Sequence, residues 1–289
     1  MGTTQVDQIA GYQVLSILGH GASSTIYAVM DPRDQHVYAI KRVVLKSASD
    51  QRFLDQALVE HDVASQLDHP AIRKSHRVIR RRKILKTSEL VILMEMVDGV
   101  TLEQHRPDSI RKTVEIFAEV SRGLHAMHQA GYVHCDIKPN NIIVSDRGVV
   151  KVIDLGQACP THTVKKRIQG TPDYIAPEQV LRLNITPQTD IFNLGATMYW
   201  CLTNRHAPTL IPKGNGESIG YKEDVRLIPP VDINHELPKA LNALVLNCLQ
   251  TEPNERPRSM QEVADRLDIV LNQYDRNQAT AMGIKRKPA

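Results

Sequence analysis

The stretch HCDIKPNN, residues 134–141, constrains this chain more than any other feature of its sequence. It brings a carboxylate, an ammonium group and an amide into one short loop, at Asp136, Lys138 and Asn141. A second acid, Asp154, follows in KVIDLG, after a strand-like run and before a glycine. Each residue alone is typical of an ordinary turn. Together they offer oxygen ligands that suit Mg²⁺, an acid that can orient a hydroxyl group and a cation that can hold a phosphate.

A glycine-containing turn and an inward lysine precede this set. Gly19 and Gly21 lie between two strand-like runs in LGHGASSTIY, where glycine lets backbone N–H groups approach phosphate oxygens. Lys41 follows in YAIK, on a strand between apolar neighbours, so its ammonium group points inward and requires an anionic partner. Glu60, on the helix predicted at residues 51–67, is the candidate partner. This pair would direct the ammonium group at a triphosphate.

The order of predicted elements divides the chain into two unequal parts. Strand-like runs dominate the chain up to about residue 97, and beyond Gly99 the patterns are mostly helical. We assign residues 12–97 to an N-terminal lobe, residues 98–272 to a C-terminal lobe and residues 273–289 to a basic tail. A cleft between two such lobes is a common place for a ligand.

Sequence composition argues against several other classes of protein. No apolar run is long enough to span a membrane, and the N-terminus lacks a signal-peptide pattern. The four cysteines form no CxxC pair, which indicates reduced thiols, no zinc site and a cytoplasmic chain. A longer protein containing this chain could still carry a membrane anchor beyond it.

The basic residues are concentrated in one segment. Residues 73–86 contain eight Lys or Arg and no acid, in a chain of net charge +4. Because the remaining chain is net acidic, this is a local basic run rather than a nucleic-acid-binding surface. A solvated hairpin and a docking site for an acidic partner both remain open.

The motifs LGHG, YAIK, HCDIKPNN, DLG and GTPDYIAPE, in this order, resemble those of a eukaryotic-type protein serine/threonine kinase domain over about residues 12–272. The short connections are similar to those of bacterial members. The resemblance implies an α+β, two-lobed fold: a small antiparallel β-sheet lobe with one main helix and a larger, mostly helical lobe. It also implies ATP and Mg²⁺ as cofactors and protein substrates bearing serine or threonine, and it leaves a homodimer open.

The resemblance also implies a role for each motif residue. Asp136 is similar to the catalytic base, Lys138 to the lysine beside it, and Lys41 with Glu60 to the pair that holds the α- and β-phosphates. The metal ligands would be Asn141 and Asp154. Residues that would surround the nucleotide are Leu18, Gly19, Gly21, Ile26, Ala39, Lys41, Met94, Glu95, Val97 and Ile143.

Three further matches favour a protein kinase over a small-molecule kinase. Glu178 in the segment APE resembles the glutamate that pairs with a buried arginine, here Arg256. Asp190 resembles the helix aspartate that holds the catalytic-loop backbone.

The chain departs from the family pattern at a few positions, and these keep a pseudokinase scaffold as the alternative. Ser24 replaces a glycine of the phosphate loop, and Leu155 replaces the usual phenylalanine. Cys135 stands where the family has an arginine that binds activation-segment phosphate, so we expect intact catalysis with weaker dependence on phosphorylation. Ala64, one turn after Glu60, predicts a loosely held helix.

Overall fold

The computed structural model describes residues 7–21, 23–83, 86–212, 219–220 and 226–281. Two predicted features therefore lie partly outside the described residues. These are the basic run, at residues 84–85, and the basic tail, at residues 282–289.

The first part of the chain forms one antiparallel sheet with a helix against one face. The strand order is β1-β2-β3-β4-β6-β5. Successive strand residues point to opposite faces. Ile40 therefore packs into the apolar cluster on one face, and Ala39 and Val43 pack on the other face with α1. Lys41 alternates with Ile40 and so lies on the α1 face. The elements are β1 Gln8–Ile9, β2 Tyr12–His20, β3 Ser24–Met30, β4 Val37–Val44, α1 Gln51–Ala64, β5 Ser75–Lys83 and β6 Lys86–Glu95.

Helix α1 is shorter than predicted and reaches into the larger lobe. It ends at Ala64 rather than at residue 67, because the chain turns there, with the Leu67 amide donating to the Ala64 carbonyl. Val63 and Ala64 pack within the core of the larger lobe. The helix therefore contacts both lobes.

The second part of the chain is mostly helical and packs around one apolar core. Phe117, Leu124, Ile191 and Leu244 are among its fully buried side chains. Its elements are β7 Val100–Thr101, α2 Ile110–Gln129, β8 Tyr132–Val133, β9 Ile142–Val144, β10 Val150–Val152, β11 Cys159–Pro160, α3 Pro177–Val180, α4 Pro187–Thr203, β12 Ile211–Pro212, β13 Ile219–Gly220, α5 Pro230–Ile233, α6 Lys239–Cys248 and α7 Met260–Ala281.

Helix α7 corrects the predicted start of the tail. The sequence places a basic tail from residue 273, but α7 continues to Ala281. Tyr274 packs against the core of the larger lobe, and Asp275 pairs with Arg111 of α2. These contacts extend the helix, and local sequence patterns do not reveal them. In the ranges that the structure covers, no helix is both long and apolar enough to cross a lipid bilayer.

Candidate active site

Two small antiparallel sheets, β10-β9-β7 and β11-β8, hold the HCDIKPNN loop of the larger lobe. Strand β8 leads into the loop, and β9 leaves it and pairs with β10, which ends just before Asp154. The Ile153 amide donates to the Asn141 carbonyl at 2.9 Å, so the two predicted metal ligands are adjacent.

Asp190 of α4 holds the backbone of this loop, as the sequence predicts. Its carboxylate accepts the amide protons of His134 and Cys135, both at 2.8 Å, and it contacts His128 Nε2 at 2.8 Å. Complete burial alone would raise the pKa of Asp190, but the hydrogen bond and charge of His128 outweigh burial and lower it. A charged, fully buried carboxylate therefore holds the loop that carries Asp136.

The Asp136 carboxylate has donors on both oxygens. Thr171 Oγ1 donates to Oδ1 at 2.8 Å, and Lys138 Nζ donates to Oδ2 at 2.8 Å. Lys138 Nζ also contacts Thr171 Oγ1 at 2.8 Å. Asn141 Nδ2 lies 3.4 Å from Asp136 Oδ2. These contacts bring the predicted catalytic loop residues together and add Thr171 to them.

Lys41 and Glu60 form the predicted pair across the sheet and helix α1. The distance between Lys41 Nζ and Glu60 Oε2 is 2.6 Å, and Lys41 Nζ also lies 3.5 Å from Asp154 Oδ1. Burial would lower the pKa of Lys41, but the charges of Glu60 and Asp154 outweigh burial and raise it. The ammonium group therefore remains charged and connects the two lobes.

Arg73 is a member of this cluster that the sequence analysis missed. Its Nη2 donates to Glu60 Oε1 at 2.7 Å, so each oxygen of Glu60 contacts a different cation. The side chain of Arg73 is 11% exposed. Its place in a basic run suggested a surface residue, and the only sequence sign to the contrary was the apolar pair Ala71 and Ile72 directly before it. Glu60 is held by two cations and Ala64 is buried. Both observations count against the prediction of a loosely held helix.

The two predicted metal ligands have donor atoms free for a cation. The Asp154 side chain is 46% exposed and has a left-handed backbone, with φ 61°. Asn141 uses its amide nitrogen to donate to the Asp136 carbonyl at 2.8 Å, which turns its amide oxygen away from that contact. One carboxylate and one amide oxygen suit Mg²⁺, which shares its remaining sites with water and phosphate.

The glycine turn lies where β2 meets β3. The Gly21 amide donates to the Ser24 carbonyl at 2.8 Å. A Cβ atom at position 21 would lie 2.7 Å from Ser24 Oγ, so a larger residue there would require the serine hydroxyl to rotate away. Gly19 has open space on its side-chain position. The serine at position 24 is therefore accommodated within the turn.

Most of the other residues predicted to surround the nucleotide lie in strands, and the strand register sets which residues they face. Ile26 lies opposite Lys41, and Ala39 lies opposite Met94, which is 1% exposed. Ile143 lies on β9. The other residues of the set are Leu18, which is 48% exposed, and Val97, which is half-buried.

Glu95 has a further role that the sequence analysis missed. Its side chain contacts Lys151 Nζ of β10 at 2.7 Å and accepts from the Lys74 amide at 3.0 Å. Its own amide donates to the Lys74 carbonyl at 2.9 Å. Glu95 thus joins the sheet to strand β10 of the larger lobe.

The Glu178–Arg256 pair confirms the prediction from the APE segment. Arg256 Nη1 and Nη2 donate to the two oxygens of Glu178 at 2.7 and 2.9 Å. The remaining N–H groups of Arg256 donate to backbone carbonyls of Gln188, Gln250 and Thr251. All five guanidinium donors are thereby satisfied.

Comparisons with known proteins agree with this arrangement. The family described as the protein kinase domain matches residues 12–267. A probable serine/threonine-protein kinase of Clostridium acetobutylicum is 26% identical over 91% of this chain and 40% of its own length. The serine/threonine-protein kinase PknB of Mycolicibacterium smegmatis is 30% identical over 90% of this chain and 42% of its own length.

The chain thus spans 40–42% of the length of these curated relatives. Among solved structures, the kinase domain of PknI from Mycobacterium tuberculosis, as a double mutant, superimposes with a TM-score of 0.70. The match covers 93% of this chain and 100% of that chain, at 23% sequence identity, and it supports the two-lobed fold. The family match extends from the first long strand to the last helix. The chain therefore belongs to the protein kinase domain family.

Proposed function

We propose that this chain is a protein serine/threonine kinase domain that transfers the γ-phosphoryl group of ATP to serine or threonine hydroxyls of proteins. One observation carries this proposal. Asp136, with Lys138 and Thr171 on its carboxylate oxygens, lies beside Asn141, while Asp154 connects this loop to the Lys41–Glu60 pair. Phosphoryl transfer depends mainly on positioning and charge neutralisation, and this cluster provides both.

Asp136 is the residue that we assign to the attacking hydroxyl group. Its carboxylate would orient a serine or threonine hydroxyl and accept its proton as the new P–O bond forms. Lys138 contacts Asp136 at 2.8 Å, close enough to balance the growing negative charge on the transferred group. Thr171 fixes the other carboxylate oxygen, so the orientation of Asp136 is set before a substrate arrives.

Lys41 is the residue that we assign to the nucleotide phosphates. Glu60 and Asp154 direct its ammonium group into the space between the lobes. The turn at Gly19 and Gly21 would supply backbone N–H groups to the same phosphates. Ile26, Ala39, Met94 and Ile143, with Leu18 and the backbone of Glu95 and Val97, would hold the adenine ring.

The donor set at Asn141 and Asp154 fits the Mg²⁺ that the family implies. When bound, Mg²⁺ neutralises phosphate charge and keeps the γ-phosphoryl group in line with its acceptor. Within the described ranges no group of three or more His, Cys, Asp or Glu could hold a metal ion. Two protein ligands, with the phosphates completing the shell, are consistent with that finding.

The pseudokinase alternative has less support. Lys41, Glu60, Asp136, Asn141 and Asp154 are all present, and each has the partners described above. The replacements at positions 24, 135 and 155 leave these contacts intact.

Part of the basic run is our proposed docking surface for an acidic segment of a protein partner. Arg73 faces Glu60 and Lys74 pairs with Asp68 at 2.8 Å, so these two do not contribute. Arg81 lies 3.5 Å from Glu89 and is left out for the same reason, so the exposed arginines of the edge strand β5 that remain are Arg77, Arg80 and Arg82. We expect Arg77→Glu with Arg80→Glu to raise KM for an acidic protein substrate, with a smaller effect at high salt. An unchanged KM for that substrate would contradict this assignment.

The test of the main proposal is transfer of labelled γ-phosphate from Mg·ATP to a generic protein substrate and to the chain itself. We expect label on serine or threonine, and its loss in Asp136→Asn and Lys41→Met. Asp146→Asn and Lys239→Met are matched controls because both side chains are exposed and neither forms a hydrogen bond or ion pair with a described residue of the site. Nucleotide binding without any label transfer would instead support the pseudokinase alternative.

A further inference from the structure

Two buried thiols lie side by side where the catalytic loop meets the segment after Asp154. The Sγ atoms of Cys135 and Cys159 are 3.6 Å apart. They pack with Val133 and Ile185 in a small apolar cluster. The two cysteines are separated by 24 residues in sequence, and the pairing of β8 with β11, which sets Val133 opposite Cys159, brings them together.

We propose that Cys135 and Cys159 are an oxidation site, at which a hydroperoxide converts the two thiols into a reversible disulfide in the folded protein. The bond would join the loop that carries Asp136 to the segment after Asp154. Sulfur atoms in a disulfide are about 2.05 Å apart, so the two atoms must approach by about 1.5 Å. Side-chain rotation can supply much of this movement because the sulfurs already face each other.

Cys159 is the thiol that reacts first. A hydrogen bond from Cys135, the charge of Lys165 and the Thr163 hydroxyl lower the pKa of Cys159 to about 7. The same thiol–thiol hydrogen bond, together with burial, raises the pKa of Cys135. Cys159 is also the more accessible residue, at 8% exposure against 0% for Cys135. It therefore provides the thiolate that a peroxide requires.

The reaction balances in two steps. The Cys159 thiolate attacks one peroxide oxygen, the O–O bond breaks, and the leaving oxygen takes a proton as water or an alcohol. The Cys135 sulfur then attacks the sulfenic sulfur, the S–S bond forms, and the S–O bond breaks. The departing hydroxyl group takes the Cys135 proton as water. Two thiols lose two electrons, and one peroxide is reduced.

The backbone of Cys135 is held on both sides, so the bond should not displace Asp136. Its amide donates to Asp190 Oδ1 at 2.8 Å, and its carbonyl accepts from Gln179 Nε2 at 2.8 Å. We therefore expect the oxidised chain to keep its phosphoryl-transfer activity. The cross-link should also resist thermal unfolding and raise Tm by about 5 °C, since it restricts the unfolded chain.

The experiment treats the full reduced chain with hydrogen peroxide, blocks free thiols with iodoacetamide, and identifies peptides by mass spectrometry. We expect one linked peptide pair, Cys135 with Cys159, that lacks two hydrogen atoms and separates on reduction. It should form faster at pH 8 than at pH 6, because more Cys159 is then ionised. These readouts need no kinase activity, so they remain informative if the proposed function fails.

Matched variants separate this site from general thiol oxidation. Cys201→Ser and Cys248→Ser remove buried thiols whose pKa burial raises, and we expect both variants to form the same link. Cys159→Ser should lose the link and the Tm increase. It is preferred to Cys135→Ser because Cys135 is fully buried and lies next to Asp136 in the sequence. The proposal would be overturned if Cys135 and Cys159 both remained free thiols in the treated folded chain, or if they became linked only in denaturant.

Discussion

Glu60 and Glu178 are equally buried, at 2% and 3% exposure, and each is paired with positive charge, but their surroundings differ. Glu178 gives both oxygens to one guanidinium group, Arg256, which has 0% side-chain exposure. Glu60 divides its oxygens between Lys41 and Arg73, which come from different elements, and Lys41 reaches on to Asp154. The first pair lies within the larger lobe, whereas the second joins the sheet, helix α1 and the segment that carries Asp154. Burial of a carboxylate therefore does not by itself distinguish structure from catalysis.

The largest expected effect is on stability, at the fully enclosed pair. Glu178→Ala leaves the Arg256 guanidinium buried without a counter-ion, which should lower the free energy of unfolding by about 3–5 kcal/mol. Denaturant unfolding monitored by circular dichroism measures this change. Glu103→Ala, at an exposed position, is the control. A loss below about 1 kcal/mol would show that the pair is no more than a surface-type salt bridge.

We expect Glu60→Gln, unlike Glu178→Ala, to have a larger effect on phosphoryl transfer than on stability. Lys41 keeps its contact with Asp154, so we expect a loss of about 1–2 kcal/mol in unfolding free energy. Phosphoryl transfer should fall by about 100-fold, or about 2.7 kcal/mol, because the Lys41 ammonium loses its orientation. Glu89→Gln is a suitable control, since Glu89 also lies between two arginines, Arg42 and Arg81. Equal activity in the two variants would remove the distinction between the two buried glutamates.

Substitution of Asp190 tests whether a buried carboxylate can stabilise the fold without a permanently charged cation beside it. Its pKa in the folded chain is lowered, so its contribution to stability is present above its unfolded pKa of about 3.9 and is lost as pH falls through the folded value. Asp190→Asn should cost about 2 kcal/mol at pH 7, because an amide nitrogen replaces one acceptor. The unfolding free energies of the two chains should begin to converge as the pH falls below about 4, the ordinary pKa of the unfolded carboxyl group. Asp62→Asn, an exposed change, should show no such convergence.

The smallest expected effect is at Arg73, which shares Glu60 with Lys41. Arg73→Ala should lower kcat about 10-fold with little change in KM for ATP, because Glu60 still contacts Lys41 but loses its second anchor. Arg73→Lys should restore part of the rate. Arg147→Ala removes an exposed arginine from the turn between β9 and β10 and is the control. A KM increase with unchanged kcat would instead assign Arg73 to nucleotide binding.

The catalytic motifs and their partners could be predicted from the sequence because an inward lysine requires an anionic partner, and because the resemblance of the motifs to those of protein kinases implies the other pairs. The Lys41–Glu60 pair, the hold of Asp190 on the catalytic loop and the Glu178–Arg256 pair all follow from such motifs, and the contacts agree. The two-lobed fold was also predictable, since strand-like and helical patterns separate near Gly99.

Helix ends and contacts between distant segments could not be predicted in this way. The extension of α7 to Ala281 depends on Tyr274 and Asp275 meeting other helices. A local pattern of charge and hydropathy contains no information about such partners, because they come from elsewhere in the chain.

The sequence by itself determined the chemistry of this protein: which acids, cations and amides are available, and in what order. Only the tertiary structure decided that Arg73 turns inward to Glu60 and that Cys135 meets Cys159. An arginine or a cysteine has the same local signature whether it faces solvent or the interior. Its direction is set by the paths of neighbouring strands and loops, and those paths depend on packing across the whole lobe.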